Sequence, residues 1–335
     1  MGTEMASEKK PVFPRKLRHG SHVRVIAPSR SLRIIGEATR RTANQRLAQL
    51  GLRVSFGRHV DEVDDFSSSP AAHRVDDLHE AFADDDVDGV LTVIGGYNAN
   101  ELLPLIDWKL IGGHPKVLCG FSDITILQLA MFRMTGLVTY SGPHYSTFGM
   151  EQHFDQTLDW FRSCLFDDAP LSLAPSETWS DDLWFADQDS RRIEPNEGWW
   201  TLRPGDAIGP ILGGNLDTIS LLFGTGLLPE LGGALLWIED DAESPPWTFR
   251  RRLTALSQQP GFDRIAGLVI GRFQRESGVT EAVLRQILEA VPLPEVPVLA
   301  NVDFGHTDPM VTFPIGGTAR LEVDGTGTAL RLERH

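Results

Sequence analysis

From residue 22 onward, short apolar runs alternate with segments that repeat apolar residues at helical spacing. "HVRVIAPS" and "LRVSFG" are typical of strands, and "IGEATRRTANQRLAQLG" between them is typical of a helix. A second cycle follows, with strands "GVLTVI" and "KVLCGF" and helices "AAHRVDDLHEAFAD" and "DITILQLAMFRMTG". Strands that alternate with helices predict a parallel, doubly wound sheet. We therefore expect an N-terminal α/β domain at residues 21–150, preceded by an extension at residues 1–20.

A second α/β region is predicted for residues 208–335, where strands such as "GALLWIED" and "PVLANVDFGH" alternate with helices. Its tail, "TFPIGGTARLEVDGTGTALRLE", predicts a hairpin with an Asp324–Gly325 turn, so we expect a smaller α/β domain with a β-rich end. Residues 151–207 are rich in Trp and show little periodicity. We interpret them as a linker that also forms a lid or pocket wall, the alternative being tryptophans that pack between the domains.

Charge and cysteine content exclude several classes of protein. The chain has 46 acidic and 31 basic side chains, and its net charge of -15 disfavours binding to nucleic acid or to an anionic membrane. The sequence has no apolar stretch long enough to cross a bilayer and no signal-peptide core. Its two cysteines, Cys119 and Cys164, are too few for a disulfide framework. We expect a cytoplasmic protein.

Three side chains that can act together in catalysis lie where predicted strands end: Ser122, Glu239 and His306. Ligands of open α/β sheets bind at the carboxyl ends of strands, so all three lie on the expected functional edge. Ser122 alone is more typical of a helix N-cap than of a nucleophile. A serine becomes a nucleophile when an imidazole removes its proton and a carboxylate orients that imidazole, and one of each is present. His144 follows another strand and is the rival base.

The turn "GFSD" differs from the G-x-S-x-G elbow but has the same strand, turn and helix context. The backbone N–H of Asp123 begins a helix and is a candidate donor to an oxyanion. Gly95 and Gly96 follow a strand and provide a second candidate donor, although a plain turn is the alternative. The sequence has neither a Walker lysine nor Rossmann glycine spacing, so we predict no cofactor.

Asn215, in "LGGN", is placed to cap a helix or to bind a substrate carbonyl or carboxylate. No two His or Cys residues have metal-ligand spacing in the sequence. The acidic run at residues 84–88 is interpreted as a solvated helix end. The sequence therefore predicts no metal site.

Five motifs in one order, "IGGYNAN", "GFSDIT", "ILGGNLDT", "LLWIED" and "GHTDPMVTFPIG", resemble a family of serine peptidases. This family comprises LD-carboxypeptidases and microcin C self-immunity peptidases. The resemblance implies a flavodoxin-like N-terminal domain, a C-terminal domain, a homodimer, and a triad at the domain interface. In that triad Ser122 is the nucleophile, Glu239 the carboxylate and His306 the base.

The resemblance also implies an oxyanion hole and a substrate class. The hole is formed by the N–H of Asp123 and that of Gly95 or Gly96. LD-carboxypeptidases resemble one another in having Arg before the paired glycines. This sequence has Ile94 at that position and in this respect resembles the immunity branch. In the immunity branch, an aromatic residue of the segment that resembles residues 151–207 stacks on the nucleobase of the substrate. Trp179 or Trp184 is the candidate for this role.

After Glu239, "EDDAESPP" has only acids where some immunity enzymes have Lys. The implied reaction is amide hydrolysis through an acyl-enzyme. The favoured substrate is an aminoacyl-nucleotide or peptide-nucleotide antibiotic, and a murein tetrapeptide that loses D-Ala is the alternative. A non-catalytic small-molecule binding protein on the same scaffold is a third hypothesis.

Overall fold

A computed structural model describes residues 9–323 and 327–335, which form two large β-sheets and a two-stranded ribbon, with helices packed against the large sheets. Its strands in chain order are β1 (His22–Ile26), β2 (Arg53–Phe56), β3 (Gly89–Thr92), β4 (Val117–Gly120), β5 (Thr139–Ser141), β6 (Leu171–Leu173), β7 (Thr178–Trp179), β8 (Glu194–Pro195), β9 (Trp200–Arg203), β10 (Gly205–Asn215), β11 (Leu235–Glu239), β12 (Gly267–Gly271), β13 (Val298–Val302), β14 (Phe313–Ile315), β15 (Thr318–Val323) and β16 (Thr328–Arg334). Its α-helices are α1 (Glu37–Gln49), α2 (Ala71–Ala83), α3 (Trp108–Gly113), α4 (Thr125–Thr135), α5 (Asp155–Phe166), α6 (Leu216–Ser220), α7 (Pro246–Ser257) and α8 (Glu281–Ala290).

The first sheet confirms the predicted doubly wound arrangement. Its order is β14-β5-β4-β3-β1-β2, in which β1 to β5 are parallel and β14 is antiparallel. Strands β3 and β4 are buried at every position, as expected for parallel strands with helices on both faces. Strand β14 comes from the far end of the chain, so the C-terminal region also contributes the edge of this sheet.

The second sheet has the order β6-β16-β15-β10-β11-β12-β13-β9. Strands β10 to β13 are parallel, whereas β9, β15, β16 and β6 add antiparallel edges. The predicted β-rich tail is present as the antiparallel pair β15 and β16. The predicted Asp324–Gly325 turn between them lies outside the described residues.

The long Trp-rich segment contains more regular structure than its sequence suggested. Helix α5 lies within it and buries Trp160, Phe161, Cys164 and Leu165. These residues recur at helical spacing, a signal that the neighbouring Pro- and Asp-rich stretches obscured. Strands β6 and β9 join the second sheet, and β7 and β8 form a small separate ribbon.

The two sheets meet where β10 ends beside the start of α4. The backbone N–H of Asn215 donates to Thr125 Oγ1 at 3.0 Å. A side chain on Gly214 would have its Cβ only 2.4 Å from the same Thr125 oxygen, so this approach requires glycine. The contact brings the carboxyl ends of both parallel sheets toward one cavity. Among the described helices, none has the combined length and apolar character of a membrane span.

Candidate active site

Ser122 lies in a sharp turn between β4 and α4. Its backbone φ is 60°, a left-handed conformation that is uncommon for a residue with a side chain. A single 3₁₀ turn over Ser122–Ile124 then leads directly into α4. The strand, strained turn and helix together present the hydroxyl at the edge of the sheet, as in nucleophile elbows.

A continuous line of hydrogen bonds joins Ser122 to His306 and Glu239. Ser122 Oγ lies 3.0 Å from His306 Nε2, and His306 Nδ1 lies 2.7 Å from Glu239 Oε2. Glu239 is the last residue of β11 and is 3% exposed, whereas His306 lies in the loop after β13. Gly305 has a φ of 101°, and a Cβ there would lie 2.7 Å from Glu239 Oε2. The glycine therefore lets the carboxylate approach the imidazole.

The hydrogen bonds also define the proton positions in the neutral imidazole. Since an ionised carboxylate only accepts, His306 Nδ1 carries the proton, and Nε2 accepts from the Ser122 hydroxyl. Burial of the imidazole lowers its pKa, but Glu239, aided by Asp241 and Asp240, outweighs burial and raises the pKa of His306 to about 9. The carboxylate thus stabilises the imidazolium that forms when serine is deprotonated.

The predicted oxyanion loop packs directly on the nucleophile. A Cβ on Gly95 would lie 3.1 Å from Ser122 Oγ, a contact tight enough that Ser122 would have to shift to accommodate it. The Asp123 carboxylate accepts from Ser29 Oγ at 2.6 Å and from the Ala99 N–H at 2.9 Å. Burial raises the pKa of this carboxyl. A Cβ on Gly96 would lie 2.3 Å from Ser29 Oγ, so this glycine also lies close to the elbow.

A cavity of about 400 Å³ opens beside this relay. Its lining includes Ser122, His306, Trp184 and Asn215, together with all three residues of the predicted oxyanion hole, Gly95, Gly96 and Asp123. The structure therefore brings together most of the residues proposed from the sequence.

Trp179 does not line the cavity. The Arg275 guanidinium lies 4.2 Å from the centre of its ring, and the Arg272 guanidinium lies 5.1 Å away. Contact of Trp179 with substrate is therefore not supported by its position, because its ring already packs against these two cations.

Asn215 caps a helix and also faces the cavity, whereas His144, the rival base, hydrogen-bonds to a threonine and not to Ser122. The Asn215 side chain accepts from the Thr218 N–H at 3.0 Å and caps α6 while also facing the cavity. His144 also lines the cavity, but it is buried, its Nδ1 lies 2.7 Å from Thr92 Oγ1, and its Nε2 forms no hydrogen bond to the described residues, Ser122 included. Burial lowers the pKa of His144 to about 3, which makes it a poor base.

Ion pairs that no sequence pattern predicted lie at the base of the predicted lid. The Arg191 side chain is 1% exposed and donates to Asp182 Oδ1 at 2.6 Å and Asp308 Oδ2 at 3.3 Å. Asp308 follows His306 by two residues and pairs with Ser180 through two backbone hydrogen bonds of 2.8 Å. Burial raises the pKa of Asp308 to about 7, although Arg191 opposes the shift. The loop bearing Trp184 is therefore attached to the loop bearing His306.

Potential metal ligands converge away from the cavity. Among residues 9–323 and 327–335, the group of His, Cys, Asp and Glu side chains close enough to share an ion is His59, Glu62 and His73. None of these three residues lines the cavity. The two histidines lie in different elements, the loop after β2 and helix α2, so their spacing in the sequence does not match a metal-binding motif.

A serine, an imidazole and a buried carboxylate in one hydrogen-bonded line are the arrangement of serine hydrolases. Sequence profiles described as the LD-carboxypeptidase N-terminal domain and the LD-carboxypeptidase C-terminal domain match residues 23–142 and 208–321. YocD of Bacillus subtilis (strain 168), which carries a carboxypeptidase name, is 42% identical over 97% of this chain and 100% of its own. The chain therefore belongs to the peptidase S66 family and is a serine peptidase of the carboxypeptidase type.

Solved structures of similar proteins confirm the fold. An MccF-like protein from Bacillus anthracis (strain Ames) is 44% identical over 97% of this chain and 100% of its own, with a TM-score of 0.95. The microcin C7 self-immunity protein MccF in complex with aspartyl sulfamoyl adenosine is 25% identical over 97% of this chain and 99% of its own, with a TM-score of 0.88. Both similarities extend across the two sheets.

The left-handed backbone conformation of Ser122 is expected to lower the free energy of unfolding when the residue has a Cβ. We expect Ser122→Gly to be more stable than Ser122→Ala by about 1 kcal/mol, because glycine adopts this φ without the clash of a Cβ. Denaturant unfolding of the two variants measures the difference. The same pair at Ser172, an exposed position in β6, should show no advantage for glycine. Equal stability of the two Ser122 variants would contradict a strained turn.

Proposed function

We propose that this peptidase hydrolyses the acyl–nitrogen bond of aminoacyl-nucleotides or peptide-nucleotide antibiotics through an acyl-enzyme. His306 Nε2 takes the hydroxyl proton as Ser122 Oγ attacks the carbonyl carbon. The N–H of Asp123 and that of Gly95 or Gly96 stabilise the oxyanion. The imidazolium then gives its proton to the leaving nitrogen, and water hydrolyses the resulting ester by the same steps in reverse.

The observation that carries the nucleotide assignment is the position of Trp184. Its ring lines the same cavity as Ser122 and packs edge-on against Phe185, with ring centroids 5.8 Å apart. A planar indole provides stacking for a nucleobase without requiring a particular base. Leu183 and Phe185 flank it and are 60% and 65% exposed, so the loop offers an apolar surface to a ligand.

The charges of the cavity support a substrate with an amino group. Asp241 and Glu243 line the wall beside the Glu239 strand, and neither forms an ion pair within the described residues. Arg30 provides a positive charge in the lining, where carboxylates outnumber basic side chains. A free α-ammonium of an aminoacyl group would be attracted to these carboxylates.

The names and ligands of similar proteins are consistent with two substrate classes. The complex of MccF with aspartyl sulfamoyl adenosine concerns that protein, and we extend its ligand class to this chain as part of the proposal. The matching profiles are named for LD-carboxypeptidases, which favours release of D-Ala from a murein tetrapeptide as the second candidate.

The two substrate classes are separated by a direct assay. The purified protein is incubated with an aminoacyl sulfamoyl adenosine and, separately, with a murein tetrapeptide ending in D-Ala, and products are followed by mass spectrometry. Cleavage of the adenosine conjugate alone supports the proposal. Release of D-Ala alone would replace it with the carboxypeptidase function, and binding without turnover of either would favour a non-catalytic protein.

Replacement of Trp184 tests the stacking role. We expect Trp184→Ala to raise KM for the adenosine conjugate by roughly 5- to 150-fold with little change in kcat, because base stacking contributes about 1–3 kcal/mol. Steady-state kinetics measure the split between KM and kcat. Trp247→Ala removes a 72% exposed tryptophan of α7 and is the matched control. An unchanged KM in Trp184→Ala would leave the ring a packing role.

A further inference from the structure

Two histidines and one glutamate converge between the loop that follows β2 and helix α2. His59 Nδ1 lies 2.6 Å from Glu62 Oε1, and His73 Nδ1 lies 2.7 Å from Glu62 Oε2. The two imidazole rings stack with centroids 4.3 Å apart, so both present the same nitrogen to one carboxylate. One donor atom from each of the three side chains lies within 4.8 Å of the other two.

This set of donor atoms suits a transition-metal ion. Two imidazole nitrogens and a carboxylate oxygen are common zinc ligands, and sites with three protein ligands complete a tetrahedron with water. The side chains of His59, Glu62 and His73 are 14%, 41% and 43% exposed, so solvent reaches the fourth position. We propose that His59, Glu62 and His73 bind a Zn²⁺ ion at a site separate from the catalytic cavity.

The surroundings hold the donors near one another before an ion arrives. The backbone N–H of His59 donates to both carboxylate oxygens of Asp77, at 3.1 and 3.0 Å. Asp77 lies on α2, one turn from His73, so the loop and helix that supply the ligands are connected.

Ion binding requires a defined proton rearrangement. An imidazole that binds metal through Nδ1 releases its Nδ1 proton and carries a proton on Nε2. In the structure Arg58 Nε donates to His59 Nε2 at 3.1 Å, and this contact must break when Nε2 becomes a donor. The Arg58 side chain is 61% exposed and also pairs with Glu80. It can therefore move away from His59 and keep Glu80 as its partner.

The ion would fasten a loop that supports the catalytic cavity. Backbone N–H groups of Ser31 and Leu32 donate to Ser67 and Val60 of this loop, at 2.8 and 2.9 Å. Ser68 Oγ donates to the carbonyl of Ser29 at 2.7 Å, and the Ser29 hydroxyl donates in turn to Asp123. A metal that joins the loop to α2 therefore stabilises the segment packed behind the nucleophile elbow.

The test is isothermal titration of the full-length, tag-free, chelator-treated protein with ZnCl₂. We expect one equivalent to bind, and we expect His59→Gln and His73→Gln each to weaken binding at least about 100-fold, since losing even an outer-shell partner costs roughly 10–100-fold. His114→Gln, at a histidine outside the group, is the matched control. Mg²⁺ should not bind, because it prefers oxygen ligands in octahedral geometry. Co²⁺ in the same protein should give the visible absorption of a tetrahedral nitrogen and oxygen site.

Two results would overturn the proposal. Absence of a stoichiometric Zn²⁺ isotherm in the parent protein would mean that Glu62 holds the two histidines by hydrogen bonds alone. Equal binding by the parent and a His59→Gln/His73→Gln double variant would place the ion elsewhere. Denaturant unfolding without metal verifies that each variant folds, and neither result depends on whether Ser122 is the nucleophile.

Discussion

Ser122→Ala is expected to lower kcat by roughly 10⁴- to 10⁶-fold on the true substrate, as serine hydrolases lose when the nucleophile is removed. The Ser122 hydroxyl is the side-chain group that His306 Nε2 contacts along the relay, and alanine has nothing to deprotonate. KM should change much less, because the cavity walls remain. Single-turnover kinetics with mass spectrometric detection measure the effect, and a serine-directed phosphonate should label the parent but not the variant.

The matched control for this loss is Ser172→Ala in β6, at an exposed position that does not line the cavity. It should retain parent turnover and parent stability. The Ser122→Ala protein should also unfold at a denaturant concentration close to that of the parent, since the deleted hydroxyl lies at a partly exposed position. Retained turnover in Ser122→Ala would end the acyl-enzyme proposal.

The positions of the three relay residues were predictable because the fold class places them. Alternating strands and helices require a parallel sheet, and parallel strands bring their carboxyl ends to one edge. Glu239 and His306 lie at or after strand ends of the second sheet, so their proximity to each other follows from its topology. Ser122 follows β4 of the first sheet and reaches them only because the two sheets pack together. The strand pattern alone left His144 as a rival base, and the resemblance to the peptidase family favoured His306. In the structure, distance and burial distinguish the two histidines.

Other features of the site depend on contacts between distant segments, which periodicity does not report. Trp179 and Trp184 are five residues apart in the same aperiodic stretch, yet one ring packs against arginines and the other lines the cavity. The attachment of Arg191 to Asp308 joins residues more than 100 positions apart. A pattern read along the chain identifies elements and their ends, whereas side-chain partners across elements are determined by packing.

Glu239→Gln is expected to lower kcat by about 10⁴-fold while leaving the fold intact, the loss seen when the carboxylate of such a relay becomes an amide. The amide nitrogen can donate to His306 Nδ1, and this moves the ring proton to Nε2, the atom that must accept from Ser122. Steady-state kinetics measure the loss, and Glu289→Gln on the exposed face of α8 is the matched control. Parent-like kcat in Glu239→Gln would show that this carboxylate does not orient the base.

The pH profile of Glu239→Gln separates two effects of Glu239: its orientation of the His306 ring and the effect of its charge on the pKa of His306. The neutral imidazole is the active base, so kcat/KM of the parent should rise with pH as His306 loses its proton, with a midpoint near its pKa of about 9. Without the Glu239 charge, burial lowers the pKa of His306 unopposed by its main partner. The midpoint should therefore fall by one unit or more, as expected when an adjacent opposite charge is lost. A large loss of kcat with an unmoved midpoint would mean that Glu239 acts by orientation alone, because a carboxylate that stabilises the imidazolium must also raise the pH at which it forms.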